Sequence, residues 1–187
     1  MKNLLVLTVS GVVAILIGSA AAAPAVNVLG LPLGGKLPHQ LKKCRDAETL
    51  TGKPASICWA GQPSSHKGAK SGMVLIPGAD SRPKWAAYAM FDLALSSAGE
   101  VERIKVRTHS ASLAPEIIQS ISSRFGTPNT VPSRVKNATW VRPELTVEML
   151  CSTEWCSVDF TSAANYAARQ DELAKRKKID EARPIAP

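Results

Sequence analysis

Ser64 and Lys67 form an S-x-x-K pattern, in which a lysine amine can activate a serine hydroxyl as a nucleophile. Ser81 and Lys84 repeat the same spacing, and neither copy has the accompanying elements at the separation that this chemistry requires. No motif typical of a serine nucleophile contains any of the three histidines, which are His39, His66 and His109. The carboxylates are scattered, and no glycine-rich phosphate loop is present. The sequence therefore predicts no catalytic residue and no cofactor.

The four cysteines carry the clearest chemistry, because an even number of cysteines in an exported chain indicates disulfides. Cys151 and Cys156 flank a four-residue connection between two strand-like runs, so a hairpin would bring them within bridging distance. By exclusion, Cys44 pairs with Cys58. Neither spacing supplies the close C-x-x-C pair of a typical zinc site, so no metal site is expected.

A basic stripe is predicted on one strand. In the run from Val101 to Thr108, Arg103, Lys105 and Arg107 alternate with apolar residues and would project on one face about 6.8 Å apart. Such a ladder is a candidate polyanion-binding site, and the alternative is the solvated face of a half-buried strand. Trp155, in the loop of the cysteine hairpin, is a candidate partner contact, or else packs over the disulfide.

The first 25 residues have the layout of a secretory signal peptide: Lys2, an apolar run, and small residues ending in A-x-A sites. An uncleaved anchor is the alternative, because about 20 apolar residues can span a bilayer. Cleavage would remove Lys2 and lower the net charge from +8 to +7. The segment 36–70 alone carries seven Lys and Arg residues against two acids. A basic exported protein favours anionic envelope partners over nucleic acid.

Hydrophobic patterns predict the elements. Asn27–Leu33 reads as one short strand, Met73–Ile76 as a buried strand, and Trp85–Leu95 with Val101–Thr108 as a hairpin. Ser112–Phe125 is the amphipathic helix, capped by Ser112 and ended by Gly126. A strand near Thr139–Arg142, the cysteine hairpin and a polar helix over Ser162–Lys178 complete the order.

These elements predict an α+β fold: an antiparallel sheet of about five strands with one amphipathic helix packed on it, a Gly/Pro-rich N-terminal segment and a polar C-terminal helix. Within a single domain we expect a signal peptide at 1–25, a disulfide-closed segment at 26–72, the core at 73–162, and a polar helix and tail at 163–187. No stable membrane span is expected after signal cleavage.

The expected function is that of an exported, periplasmic or secreted, non-enzymatic binding or accessory protein of a bacterial-type cell envelope. Its partner would be an anionic envelope component or another envelope protein. The alternative is a small hydrolase acting on an envelope polymer, with a site that forms only in the folded chain.

Overall fold

The structure is a computed structural model that describes residues 25–130 and 137–181. All of the predicted signal peptide except Ala25 lies outside these residues. Within them no helix is long and apolar enough to cross a membrane.

The described chain forms an α+β fold built on a large antiparallel sheet. Its strands are β1 (Val26–Val28), β2 (Leu31–Leu33), β3 (Cys58–Trp59), β4 (Ser64–His66), β5 (Ala69–Leu75), β6 (Met90–Leu95), β7 (Val101–Arg107), β8 (Ala138–Val141), β9 (Leu145–Cys151) and β10 (Cys156–Ser162). Its helices are α1 (Asp46–Thr51), α2 (Lys84–Ala87), α3 (Ala114–Phe125) and α4 (Ala163–Glu181).

The strand order along the sheet is β3-β5-β6-β7-β10-β9-β8, with β4 added to β5. The β1–β2 hairpin joins through a parallel pairing of Leu33 with Val101 at the start of β7. β7 therefore lies at the centre, with β6 on one side and β10 on the other. The outward side chains of β7 therefore lie between those of two neighbouring strands.

One face of the sheet is the core. Alternate strand residues bury their side chains there, as period-two alternation requires, and α3 packs on this face through Ala114, Ile117 and Ile121. Trp85 and Trp140 are the largest fully buried side chains. The Trp140 indole Nε1 donates to the carbonyl of Gly126, 3.0 Å away, which ties β8 to the end of α3.

The predicted amphipathic helix is present, with a different start. A 3-10 turn over Ala111–Leu113 leads into α3, and the Ser110 hydroxyl, rather than that of Ser112, accepts a capping bond from the Ser112 backbone N–H. Gly126 ends the helix with a φ of 77°, a conformation that glycine adopts without steric cost.

The prediction of about five strands was too low, because ten strands lie in the described residues. The Gly/Pro-rich segment 26–72 contains four complete strands, each of two or three residues, too short to show a hydrophobic period. Asn27–Leu33 is a hairpin rather than one strand. It turns at Leu29 and Gly30, both with positive φ, and leucine rarely adopts that conformation.

The prediction of one strand over Trp85–Leu95 was wrong for its first half. Residues Lys84–Ala87 form α2, which buries Trp85 and Ala86, and β6 begins only at Met90. The Trp85 backbone N–H donates to the Glu116 carboxylate on α3 at 3.1 Å. A short apolar run does not distinguish a helical turn from a strand, so the hydrophobic pattern could not predict α2 or its contact with α3.

The four cysteines form the two predicted pairs, Cys44–Cys58 and Cys151–Cys156. Cys151 and Cys156 lie opposite each other where β9 and β10 meet, as the hairpin register requires. Cys58 begins β3 at one edge of the sheet, so its bridge attaches the α1 segment to that edge.

Candidate functional site

The structure places Arg103, Lys105 and Arg107 on the sheet face that points away from the core, here called the outer face. All three are half-buried, whereas Ile104 and Val106 between them are fully buried. The alternation predicted from the sequence therefore describes the geometry of β7. Whether the stripe binds a polyanion depends on the charges that lie beside it.

Those neighbouring charges are acidic. In the sheet register Lys105 pairs with Asp92 on β6 and with Asp159 on β10, and Asp159 in turn pairs with Glu148 on β9. An Asp159 carboxylate oxygen lies 3.9 Å from the Arg103 Nε. The centre of the stripe is thus compensated by carboxylates of the adjacent strands, which weakens it as an isolated cationic ladder.

Trp155 and Arg107 form one feature. The Arg107 guanidinium carbon lies 5.6 Å from the centroid of the half-buried Trp155 ring, within the range of a cation–π interaction. The tip itself is ordered by Ser152, whose hydroxyl accepts from the backbone N–H groups of Glu154 and Trp155. Trp155 is therefore held against the sheet and covers one side of Arg107.

A stronger concentration of positive charge lies at the end of the sheet where β5 and β7 begin. One cleft of about 380 Å³ there is lined by Lys36, His39 and Lys70, together with Trp59 and hydroxyl groups of the β6–β7 turn. We call the basic side chains that line this cleft and its neighbour the basic end; they are Lys36, His39, His66, Lys70, Arg103 and Arg169.

The neighbouring cleft has a volume of about 310 Å³ and shares Lys70 with the first. Arg103 enters it from β7, His66 from β4 and Arg169 from α4, and Glu102 is the one acid among its described lining residues. Serine hydroxyls and the Asn165 amide also line it. Cations mixed with neutral hydrogen-bonding groups in a concave surface suit an anion that also carries hydroxyl groups.

Sequence reasoning found Arg103 and the lysine-rich segment 36–70 but did not bring them together. The basic end draws on side chains from several separate segments of the chain, and α4 adds Arg169 from more than 60 residues beyond Arg103. The excess of lysine and arginine in 36–70 was the one available signal. The two strand pairings β5–β6 and β6–β7 supply the convergence.

The residues of the S-x-x-K pattern are used structurally. The Ser64 hydroxyl lies 3.0 Å from the Ser71 carbonyl and 2.9 Å from the Ser71 hydroxyl, and Lys67 occupies the β4–β5 turn with a positive φ. His109 follows the last residue of β7 and lies at the opposite end of the sheet from His66. In the described residues no group of three or more His, Cys, Asp and Glu side chains is arranged to hold a metal ion.

Comparison with known protein families, with curated proteins and with solved structures finds no match for this chain. The fold and the surface chemistry are therefore the only guides to its class. They define a small, basic, disulfide-bonded α+β domain with two cationic clefts. Its two disulfides are compatible with export to an oxidising compartment.

Proposed function

We propose that this chain is an exported, non-enzymatic binding or accessory protein of a bacterial-type cell envelope, and that its basic end binds an anionic envelope glycan. The observation that carries the proposal is the convergence of Lys36, Lys70, Arg103 and Arg169 on two adjoining clefts. The two disulfides are compatible with export, and the net charge, +8 for the full sequence and +7 after the predicted cleavage, favours polyanionic partners.

A glycan fits this surface better than a flat membrane surface does. The cations lie in clefts, and hydroxyl and amide groups such as those of Ser71, Gln40 and Asn165 line the same clefts. A charged sugar chain can place carboxylates or phosphates against the cations and hydroxyl groups against the neutral donors and acceptors. A flat anionic bilayer would instead favour a cluster of lysines and arginines on an exposed surface.

The test uses a carboxylated oligosaccharide, oligogalacturonate, as the probe and titration calorimetry as the measurement. We expect binding that weakens as salt rises, because exposed charges are screened beyond about 8 Å at physiological ionic strength. The double variant Lys70→Gln/Arg169→Gln should lose most of the affinity. Lys105→Gln/Arg107→Gln removes the same charge from the outer face outside the two clefts and is the matched control, with affinity close to that of the parent.

Phosphatidylglycerol vesicles provide the comparison surface. Co-sedimentation with vesicles but no binding of oligogalacturonate would replace the glycan by a lipid partner. Equal losses in the two double variants would show that net charge, rather than the clefts, governs binding. Either result overturns the assignment of the basic end to a glycan.

A further inference from the structure

A third cleft lies under the β1–β2 turn and has a different chemistry. Its volume is about 410 Å³, and it is bounded by the β1–β2 turn, the end of α3 and the segment 76–83. Aliphatic side chains form its wall: Leu29, Leu31, Leu37, Ile57 and Ile76. Among the described residues that line it, the charged groups are two arginines, Arg82 and Arg124, and none is a carboxylate.

Both arginines are held in place by neutral groups. Arg82 donates to the carbonyls of Ile76 and Pro77, and its guanidinium carbon lies 4.8 Å from the centroid of the Phe91 ring. Arg124 donates to the carbonyl of Asn27. Neither forms a salt bridge within the described residues. These contacts orient the two guanidinium groups and leave their positive charge uncompensated.

The Arg82 guanidinium is partly desolvated in this cleft. Its Nε is buried and has no hydrogen-bond acceptor among the described residues, and burial lowers the pKa of its guanidinium. Arg82 as a whole is half-buried and Arg124 is exposed, so the unfavourable contribution is the partial desolvation of Arg82, which no charge pairing offsets. An anion bound in the cleft beside Arg82 and Arg124 would supply the missing negative charge.

Leu29 adds a second, independent observation. It lines the cleft and has a φ of 51°, a conformation in which a bulky residue is an outlier and for which asparagine or glycine is preferred. The turn thus keeps an apolar side chain at a backbone position that disfavours it. Strain of this kind is found where a side chain serves a site.

We propose that this cleft binds a small anionic amphiphile, with the carboxylate of the ligand at Arg82 and Arg124 and its acyl chain against the aliphatic wall. Charge selects the head group, because two arginines face the cleft and no described acid does. The wall selects the chain, since a sugar would leave that apolar surface without a partner. The site is separate from the basic end: it contains none of those basic side chains, and Leu37 is the one residue that it shares with the described lining of the two cationic clefts.

Titration calorimetry with dodecanoate below its micelle concentration tests the proposal. We expect saturable binding of dodecanoate, with dodecanol and acetate each binding at least about tenfold more weakly, since each lacks one of the two recognised groups. Arg124→Gln should weaken dodecanoate binding about tenfold, and Arg124→Lys should weaken it less because the charge remains. Arg103→Gln, in the basic end, is the charge-matched control and should leave dodecanoate binding unchanged.

The variant Leu29→Asn distinguishes a damaged binding site from a destabilised fold. Asparagine suits the positive φ of the turn, so the melting temperature should be kept or raised, while the polar side chain should weaken dodecanoate binding severalfold. The proposal is wrong if dodecanol binds as tightly as dodecanoate. It is also wrong if Arg124→Gln and Leu29→Asn both bind dodecanoate with the affinity of the parent. Binding of oligogalacturonate by these variants shows independently whether the basic end is intact.

Discussion

Lys105 lies between two carboxylates, Asp92 on one neighbouring strand and Asp159 on the other. The sequence alternation predicted correctly that its side chain leaves the core, because side-chain direction along a strand depends only on period two. It could not predict the cross-strand neighbours, since these depend on which strands pair and in what register. At the scale of single residues, the sequence therefore predicted the candidate polyanion stripe but not the carboxylates that lie beside it.

Arg107 and Trp155 should be energetically coupled, because the guanidinium lies over the indole ring. We expect Trp155→Ala and Arg107→Gln each to lower the free energy of unfolding, and the double variant to lose less than the sum of the two. The difference should be about 0.5–1 kcal/mol, the usual size of an exposed cation–π interaction. Denaturant unfolding of the four proteins measures it, and strictly additive losses would show that the two side chains do not interact.

Glu48 should make the protein sensitive to acid. Its carboxylate accepts from the Arg45 side chain and from the backbone N–H groups of Arg45 and Ala55, which lowers its pKa from 4.5 to about 2. A pKa lowered by folding stabilises the native state above the unfolded pKa of 4.5, and this contribution disappears as pH falls through about 2.

Glu48→Gln should therefore lower the melting temperature most near neutral pH, and the gap to the parent should close between about pH 4.5 and pH 2. Melting curves at a series of pH values measure the gap. Glu154→Gln, on the exposed hairpin tip, serves as the control. A gap that is constant with pH would contradict the proposed role of the Glu48 carboxylate.

Helix α3 offers a sharp test at the scale of elements. Ile117 is fully buried against the sheet, and Ile118, next to it, is only half-buried at the margin of the core. Ile117→Ala should destabilise the protein by about 2–5 kcal/mol, the cost of a cavity in a well-packed core. Ile118→Ala removes the same atoms and should cost clearly less. Denaturant unfolding compares the two, and equal losses would mean that α3 is packed in a different rotation.

Elements with a long, regular pattern were predicted well from the sequence. The stripe from Leu113 to Phe125 gave α3, and the two cysteines gave the β9–β10 hairpin with its register. The short strands β1 to β4 were not predictable, because two or three residues carry no period and they form by pairing with distant strands. Residues Lys84–Ala87 form helix α2, and the Trp85 backbone N–H donates to Glu116 on α3, a tertiary contact that no local sequence pattern reports.

At the scale of the whole molecule, only the fold determines where the excess positive charge is concentrated. The sequence showed a net charge of +8 and an uneven distribution, but both candidate clefts are built from segments far apart in the chain. β-sheet pairing brings the lysine-rich segment beside Arg103, and α4 supplies Arg169. The expected partner class, an anionic envelope component, remains a prediction that depends on this convergence.

The central claim is that the basic end is where the anionic glycan binds. Amide and side-chain chemical shifts of the isotopically labelled protein, followed while oligogalacturonate is added, test it most directly because they locate the contact without any mutation. We predict that the largest shift changes fall on Lys36, Lys70, Arg103 and Arg169 and reverse at high salt. Changes centred instead on Arg107 and Trp155, or no saturable change at any residue, would contradict the claim.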